Sequence, residues 1–348
     1  MTTLEVALQY PDISAQGFAH PADRAARAAL FSVPMLDKAI KKMTEWSFEK
    51  RLRQMYLGNA IRLGEDQVPS VWAMQRQCAH TLDVAECPKL YVTQNPQGNA
   101  LTIGTHEPIT LIASGLVQSY SDDELRAVLA HEMGHVLADH VAITTAGEIA
   151  KMLMKSAMRA QPLLGIPLVA LHYALMECRR AGELTADRAS ALVVADPRVT
   201  CLTLMRIAGG PVRDMNLDAF IRQATEYEEE GDPFARWSRF FGEVNATHPF
   251  PVRRVRELVS WVASGEYDRI RSGQYVRRGQ EPPPSEEYNA AFQHYRRRFA
   301  GIVERASSGI QNVADRVSSW LSGSAGQGGQ QPGDDAAADF DDTDETDV

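Results

Sequence analysis

Five consecutive residues, His131-Glu132-Met133-Gly134-His135, constrain this chain more than any other stretch of its 348. Histidines four apart lie on one face of a helix, so both imidazoles can reach a single metal ion. The glutamate after the first histidine stands about a quarter-turn away, where it can hold a water at that ion without being a ligand. Only three of the five positions are specified, and chance alone yields the pattern in roughly one chain in a hundred of this length. The bland alternative is the polar face of an ordinary amphipathic helix, so the surroundings must carry the reading.

Those surroundings favour a site. Ser121-Asp122-Asp123-Glu124 predicts a capping box, with Ser121 as N-cap and an acidic first turn that suits the helix dipole. Leu125, Val128, Leu129, Val136 and Leu137 recur at helical spacing, predicting a helix over about 122–139 with a core face. Two histidines and an acid within that apolar pattern are costly unless something satisfies them. The arrangement is the H-E-x-x-H of zinc peptidases, and a catalytic zinc takes a third protein ligand. A metzincin would need glycine and histidine where this chain has Ala138 and Val141. His140, five residues after His135, points off the face of such a helix and reads as a surface or second-layer residue.

Glu183 is the better third ligand, with Asp187 one turn on along a second helix. Asp187 could then accept a hydrogen bond from the free ring nitrogen of His131 or His135. On the residues alone, a solvated acid pair flanked by Arg180 and Arg188 is the better reading.

The pentapeptide followed by Glu183-x-x-Ala186-Asp187 resembles the M48 family of zinc metallopeptidases, which includes the CAAX prenyl protease and the bacterial heat-shock membrane protease. Asn99-Ala100 before a strand, Leu129-Ala130 leading into the motif, and Thr247-His248-Pro249 with Arg254 six residues after His248 match in the same order. The resemblance covers about residues 65–260 and is nearest to soluble-looking bacterial members of actinobacterial type. It implies an α+β, mainly helical fold. A zincin-like catalytic domain at 64–265 would hold a small antiparallel sheet against the motif helix. An N-terminal helical segment (1–63), a C-terminal linker and helix (266–321) and a disordered acidic tail (322–348) would flank it.

The resemblance also implies roles. One zinc per chain would sit on His131, His135 and Glu183. Glu132 would act as general base and then acid. His248 would donate to the oxyanion, and in some relatives the corresponding histidine can close the site. Asp187 and Arg254 would stand behind the ligands, although Arg254 also fits a solvated basic cluster with Arg253 and Arg256. Asn99, Ala100, Leu101 and Thr102 would form an edge that pairs with extended polypeptide substrate; a plain three-stranded sheet at 90–93, 100–104 and 109–112 is the simpler alternative. The implied function is a metalloendopeptidase acting on unfolded or damaged protein in a bacterial cytoplasm. A chaperone-like protein with a structural metal, or a peptidase with a plugged site, are the competing readings; a structural metal has no need of Glu132.

The net charge of −9 is concentrated in an acidic stretch, Gly333 to Val348, with eight acids and no base. The body has no basic excess, which argues against nucleic acid as a partner. Cys78, Cys87, Cys178 and Cys201 lack metal-binding spacing and read as reduced thiols. Residues 1–20, with Glu5 and Asp12 and no long apolar stretch, do not read as a secretory signal. The apolar run at 162–176 holds two prolines and His172, and is short of the ~20 residues needed to span a bilayer. A helical hairpin over the site is expected across 141–178, with peripheral contact at the inner membrane through 151–176 as the second possibility. Residues 22–63 read as helical with a break near Pro34, and further helices are expected at 68–85, 216–230, 233–243, from Pro251, and within 285–321.

Overall fold

Proline opens five helices among the described residues, at the position where its missing N–H costs nothing. A computed structural model of the protein describes residues 9–96, 99–160, 165–210, 214–229, 250–281, 289, 292–297 and 299–300. Three N-terminal helices, α1 (Pro21–Ser32), α2 (Pro34–Met43) and α3 (Trp46–Leu57), lead to strand β1 (Ala60–Arg62) and helix α4 (Pro69–Thr81). Strands β2 (Lys89–Thr93), β3 (Ala100–Ile103) and β4 (Ile109–Ala113) follow, then helices α5 (Ser114–Ser119), α6 (Asp122–Leu137), α7 (Val141–Ala160) and α8 (Gly165–Val194). Helices α9 (Pro197–Gly209), α10 (Leu217–Glu229), α11 (Pro251–Ala263) and α12 (Glu266–Arg271) complete the elements.

The fold is α+β and mainly helical, as expected, but the sheet is mixed rather than antiparallel throughout. Its order is β1-β2-β4-β3, with β2 and β4 parallel and the outer pairs antiparallel. The parallel pair arises because the chain leaves β2, forms β3 beyond it, and returns as β4 between the two. Strand β1 falls in the stretch expected to be helical; three residues with Ile61 exposed offer no alternation to read.

Strand β4 is buried along its whole length and divides the core. On one side Leu90 and Ile112 join Leu129 and Met133 of α6, Leu192 of α8 and Trp261 of α11. On the other, Tyr91, Ile109 and Leu111 join Leu30, Ile40 and Phe48 of the N-terminal helices and Ile143 of α7. The period-two alternation of a strand feeds the two clusters in turn. Phe48 and Leu52 are core residues, as expected.

Helix α8 is longer than the expected one. It starts at Gly165 and runs unbroken for 30 residues, because Pro167 falls in its first turn, where it removes no helical hydrogen bond. The second arm of the expected hairpin and the Glu183 helix are therefore one element, α8, with α7 packed along it as the first arm. No described helix is long and apolar enough to cross a membrane.

Residues expected to begin a linker instead run along the N-terminal segment: Ser14 N–H donates to the Val276 carbonyl at 2.9 Å, and Arg278 N–H to that of Asp12 at 2.8 Å. Phe299 is fully buried in the core cluster that the N-terminal helices share with α7 and α8, with Phe292 and Tyr295 packed against that cluster. The described part of the C-terminal segment thus docks on the body. The helix expected at 233–243, the Thr247-His248-Pro249 block, residues 301–348 and the side chains of 155–168 lie outside the described residues.

Candidate metal centre

Helix α6 begins with the capping box in full. Ser121 Oγ accepts from the Glu124 N–H, and the Glu124 carboxylate accepts from the Ser121 N–H. The start fixes the phase of the helix, and Gly134 fixes its approach to α8. A Cβ on Gly134 would stand 2.6 Å from the Ala189 Cβ, so only glycine lets the two helices meet this closely. Across that contact, His131 and His135 of α6 face Glu183 and Asp187 of α8.

His131 Nε2 lies 3.1 Å from His135 Nε2 and 3.3 Å from a Glu183 carboxylate oxygen, and His135 Nε2 lies 3.5 Å from the other. The three donor atoms fall within 4.8 Å of one another. Two imidazole nitrogens and a carboxylate oxygen suit a zinc site that keeps a further position for water. Each ring turns its Nε2 to the centre because its Nδ1 is already engaged, the arrangement expected of metal-ligating histidines.

His131 Nδ1 donates to Asp187 Oδ1 at 3.1 Å. Arg254 grips the same carboxylate with two bonds, Nε to Oδ2 at 2.8 Å and Nη2 to Oδ1 at 2.6 Å, and its Nη1 is 3.2 Å from Glu183. Arg254 is buried, not part of a solvated cluster. Burial alone would raise the Asp187 carboxyl; the guanidinium outweighs it and holds the carboxyl below the ordinary range. The solvated-pair alternative for Glu183 and Asp187 is not realised, since both are buried. Arg180 instead pairs with Glu177, and Arg188 donates to the Phe18 carbonyl. Burial opposes charge on both histidines. On His131 the two carboxylates overcome it and push the ring up to about 9, whereas on His135 burial prevails and holds it down at about 3.

His140 is a second-layer residue and is not on the surface. Helix α6 ends at Leu137, two residues before the expected end, in a Schellman cap. Asp139 N–H donates to the Val136 carbonyl at 3.1 Å and His140 N–H to the His135 carbonyl at 2.9 Å. Asp139 takes the left-handed conformation, φ 65°, that such a cap requires. The cap folds His140 back over His135, with Nδ1 to Nδ1 at 2.9 Å. The far side of the His140 ring reaches Asp23 of α1, Nε2 to Oδ2 at 2.9 Å. Neither Asp23 nor this use of His140 follows from helical spacing; the signal available was the helix end, since a residue two past the C-cap returns to the last turn.

Glu132 is buried and accepts a hydrogen bond from Thr102 Oγ1 at 2.7 Å, and Thr102 in turn meets Thr110 at 3.0 Å. Burial pushes the Glu132 carboxyl up, against the opposing pull of His131 and the Thr102 hydroxyl. A carboxyl raised in this way suits proton transfer near neutral pH. Strand β3 sits at one end of the sheet order, beside α6, with Asn99 exposed and Ala100 and Leu101 half-buried. Its turn into β4 is clamped from α3. The buried Glu49 carboxylate accepts from the N–H groups of Thr105 at 2.8 Å and of His106 and Glu107 at 3.1 Å. Burial would raise Glu49, but the donors around it, with the His106 ring and Thr105 hydroxyl, bring it down to about 2. All four cysteines are free thiols.

The fold and this constellation define a metallopeptidase. The model of Peptidase family M48 matches residues 66–262, and the chain belongs to that family. It is 32% identical over 269 residues to the plastoglobule-localized metallopeptidase 48 of Arabidopsis thaliana chloroplasts, covering 76% of this chain and 77% of the relative. It is 25% identical over 248 residues to a protease HtpX homolog of Burkholderia thailandensis, covering 64% of this chain and 84% of the relative. A protease HtpX homolog of Methylibium petroleiphilum is 30% identical over 185 residues, covering 47% of this chain and 64% of that one. No solved structure matches.

Proposed function

We propose that the protein is a zinc-dependent metalloendopeptidase that hydrolyses peptide bonds in unfolded or damaged polypeptides. The observation that carries this reading is a buried, Thr102-bonded Glu132 beside three converging donors, His131, His135 and Glu183. A site whose metal is only structural has no use for such a base. One zinc per chain on those donors supplies Lewis acidity, polarising the scissile carbonyl and acidifying the attacking water.

The chain's own residues do the rest. Glu132 takes the proton from the attacking water and delivers it to the leaving amine. Asp187, held by Arg254, keeps the His131 Nε2 lone pair on the metal side. The outer edge of β3, from Asn99 through Thr102, pairs with extended substrate by backbone hydrogen bonds, which gives affinity with little sequence selectivity. That mode suits chains that have lost their fold, the substrate class that the family resemblance implies. His248, outside the described residues, is the proposed oxyanion donor. The cytoplasm, with peripheral contact at the inner membrane face through 151–176, is the proposed location.

The test is metal content together with cleavage of denatured casein by wild type and Glu132→Gln. One zinc in both, with cleavage by wild type alone, is the expected result. Absence of bound metal from purified and zinc-supplemented wild type would overturn the reading.

A further inference from the structure

The family match begins at residue 66, yet a carboxylate 43 positions earlier reaches the metal centre. We propose that Asp23 of α1, acting through His140, is a positioning residue that sets the tautomer and orientation of the ligand His135. The inference rests on the zinc-site reading above.

Asp23 is the third residue of α1, in its first turn, where the helix dipole favours a negative charge. It is 1% exposed, and its Oδ2 accepts from the Thr185 hydroxyl at 2.6 Å as well as from His140. An ionised carboxylate only accepts, so His140 donates from Nε2. A neutral imidazole that donates from Nε2 carries its lone pair on Nδ1. That atom is 2.9 Å from His135 Nδ1, so His135 donates there and its own lone pair is left on Nε2, facing Glu183 and His131. Asp187 does the same for His131 in one step.

Two features hold the longer path in place. Gly182 of α8 gives the His140 ring its room: a Cβ at 182 would lie 3.0 Å from two of the ring atoms. Arg27, one turn after Asp23, donates to the Ala138 carbonyl and so ties α1 to the cap that carries His140. Helix α8 thereby serves both ligands, through Asp187 for His131 and through Thr185 on Asp23 for His135.

The experiment uses the full chain with Asp23→Asn and His140→Phe. It reads the zinc dissociation constant by chelator competition, the visible absorption of the cobalt-loaded protein, and the unfolding midpoint of the metal-free protein. Positioning predicts zinc binding weakened by about 10- to 100-fold, with an altered cobalt spectrum and a metal-free protein that still folds. His140→Phe strips Asp23 of a donor and can cost folding; Asp23→Asn keeps shape and an acceptor, and alone should weaken zinc by about tenfold. Affinity within twofold of wild type and an unchanged cobalt spectrum in Asp23→Asn would overturn the proposal while the zinc reading stands. A loss of affinity that merely tracks unfolding of the metal-free protein would also overturn it. Wild type that binds no zinc would end both.

Discussion

Gly134 of α6 and Ala189 of α8 meet with no room for a methyl group between them, a Cβ at 134 falling 2.6 Å from that of Ala189. The contact sits between the ligand pair of α6 and the acids of α8, so it sets the distance across which the metal is held. Gly134→Ala should push the helices apart and cost about 1–3 kcal/mol of stability, as overpacking does. Adding Ala189→Gly should restore most of the loss. Denaturant unfolding of the single and double variants checks this; a double variant no better than the single would contradict it.

Arg254→Ala leaves two buried carboxylates, Asp187 and Glu183, without their guanidinium. Breaking a buried pair from one side costs about 3–5 kcal/mol. The loss should be larger in metal-free protein, because a bound divalent cation offsets part of the same negative charge. Calorimetry with and without chelator measures both. Arg254→Lys keeps the charge but not the two-pronged bond to Asp187, and should fall between.

Thr102→Val removes the hydrogen bond to Glu132 at nearly constant shape. That bond favours the ionised carboxylate, so its loss should raise the Glu132 pKa further and move the acid limb of the pH–rate profile to higher pH. At neutral pH, kcat/KM should fall by about fivefold, the worth of roughly one hydrogen bond of 1 kcal/mol. An acid limb that stays put would separate Thr102 from the base.

Much of the site was legible because helices α6 and α8 obey simple periodicity. The Ser121–Glu124 box fixes the phase of α6, and four-residue spacing puts Glu183 and Asp187 on one face of α8, although only the family resemblance sets that face against α6 instead of solvent. Errors came from element ends. Extending α6 by two residues turned His140 away from His135, whereas the cap at Asp139 brings it back. Pro167 looked like an interruption but lies in the first turn of α8. Strand β1 was hidden because three residues carry no pattern, and with it went the sheet's true order. Asp23 was out of reach, since nothing local joins position 23 to position 140.

Glu49 gives the fold a defined acid response. Its carboxyl sits at about 2 in the folded protein against an ordinary 4.5. The stabilisation is therefore full above about pH 4.5 and fades as pH falls towards 2. Its size should be on the order of 2 kcal/mol. Glu49→Gln should lower stability most above pH 5, and the two curves should converge in acid. Unfolding curves across pH 2.5–7 check this; a constant gap would contradict it.

Arg254 shares one carboxylate with His131, so the seating of α11 and the loading of the metal are linked functions. Each changes the other's equilibrium by the same factor. Arg254 and the ion offset the same negative charge on Glu183 and Asp187, so a protein stripped of its ion holds α11 more firmly, by as much as releasing α11 would strengthen the hold on the ion. Helix α11 therefore reads metal occupancy through Arg254, by way of the carboxylates of Asp187 and Glu183.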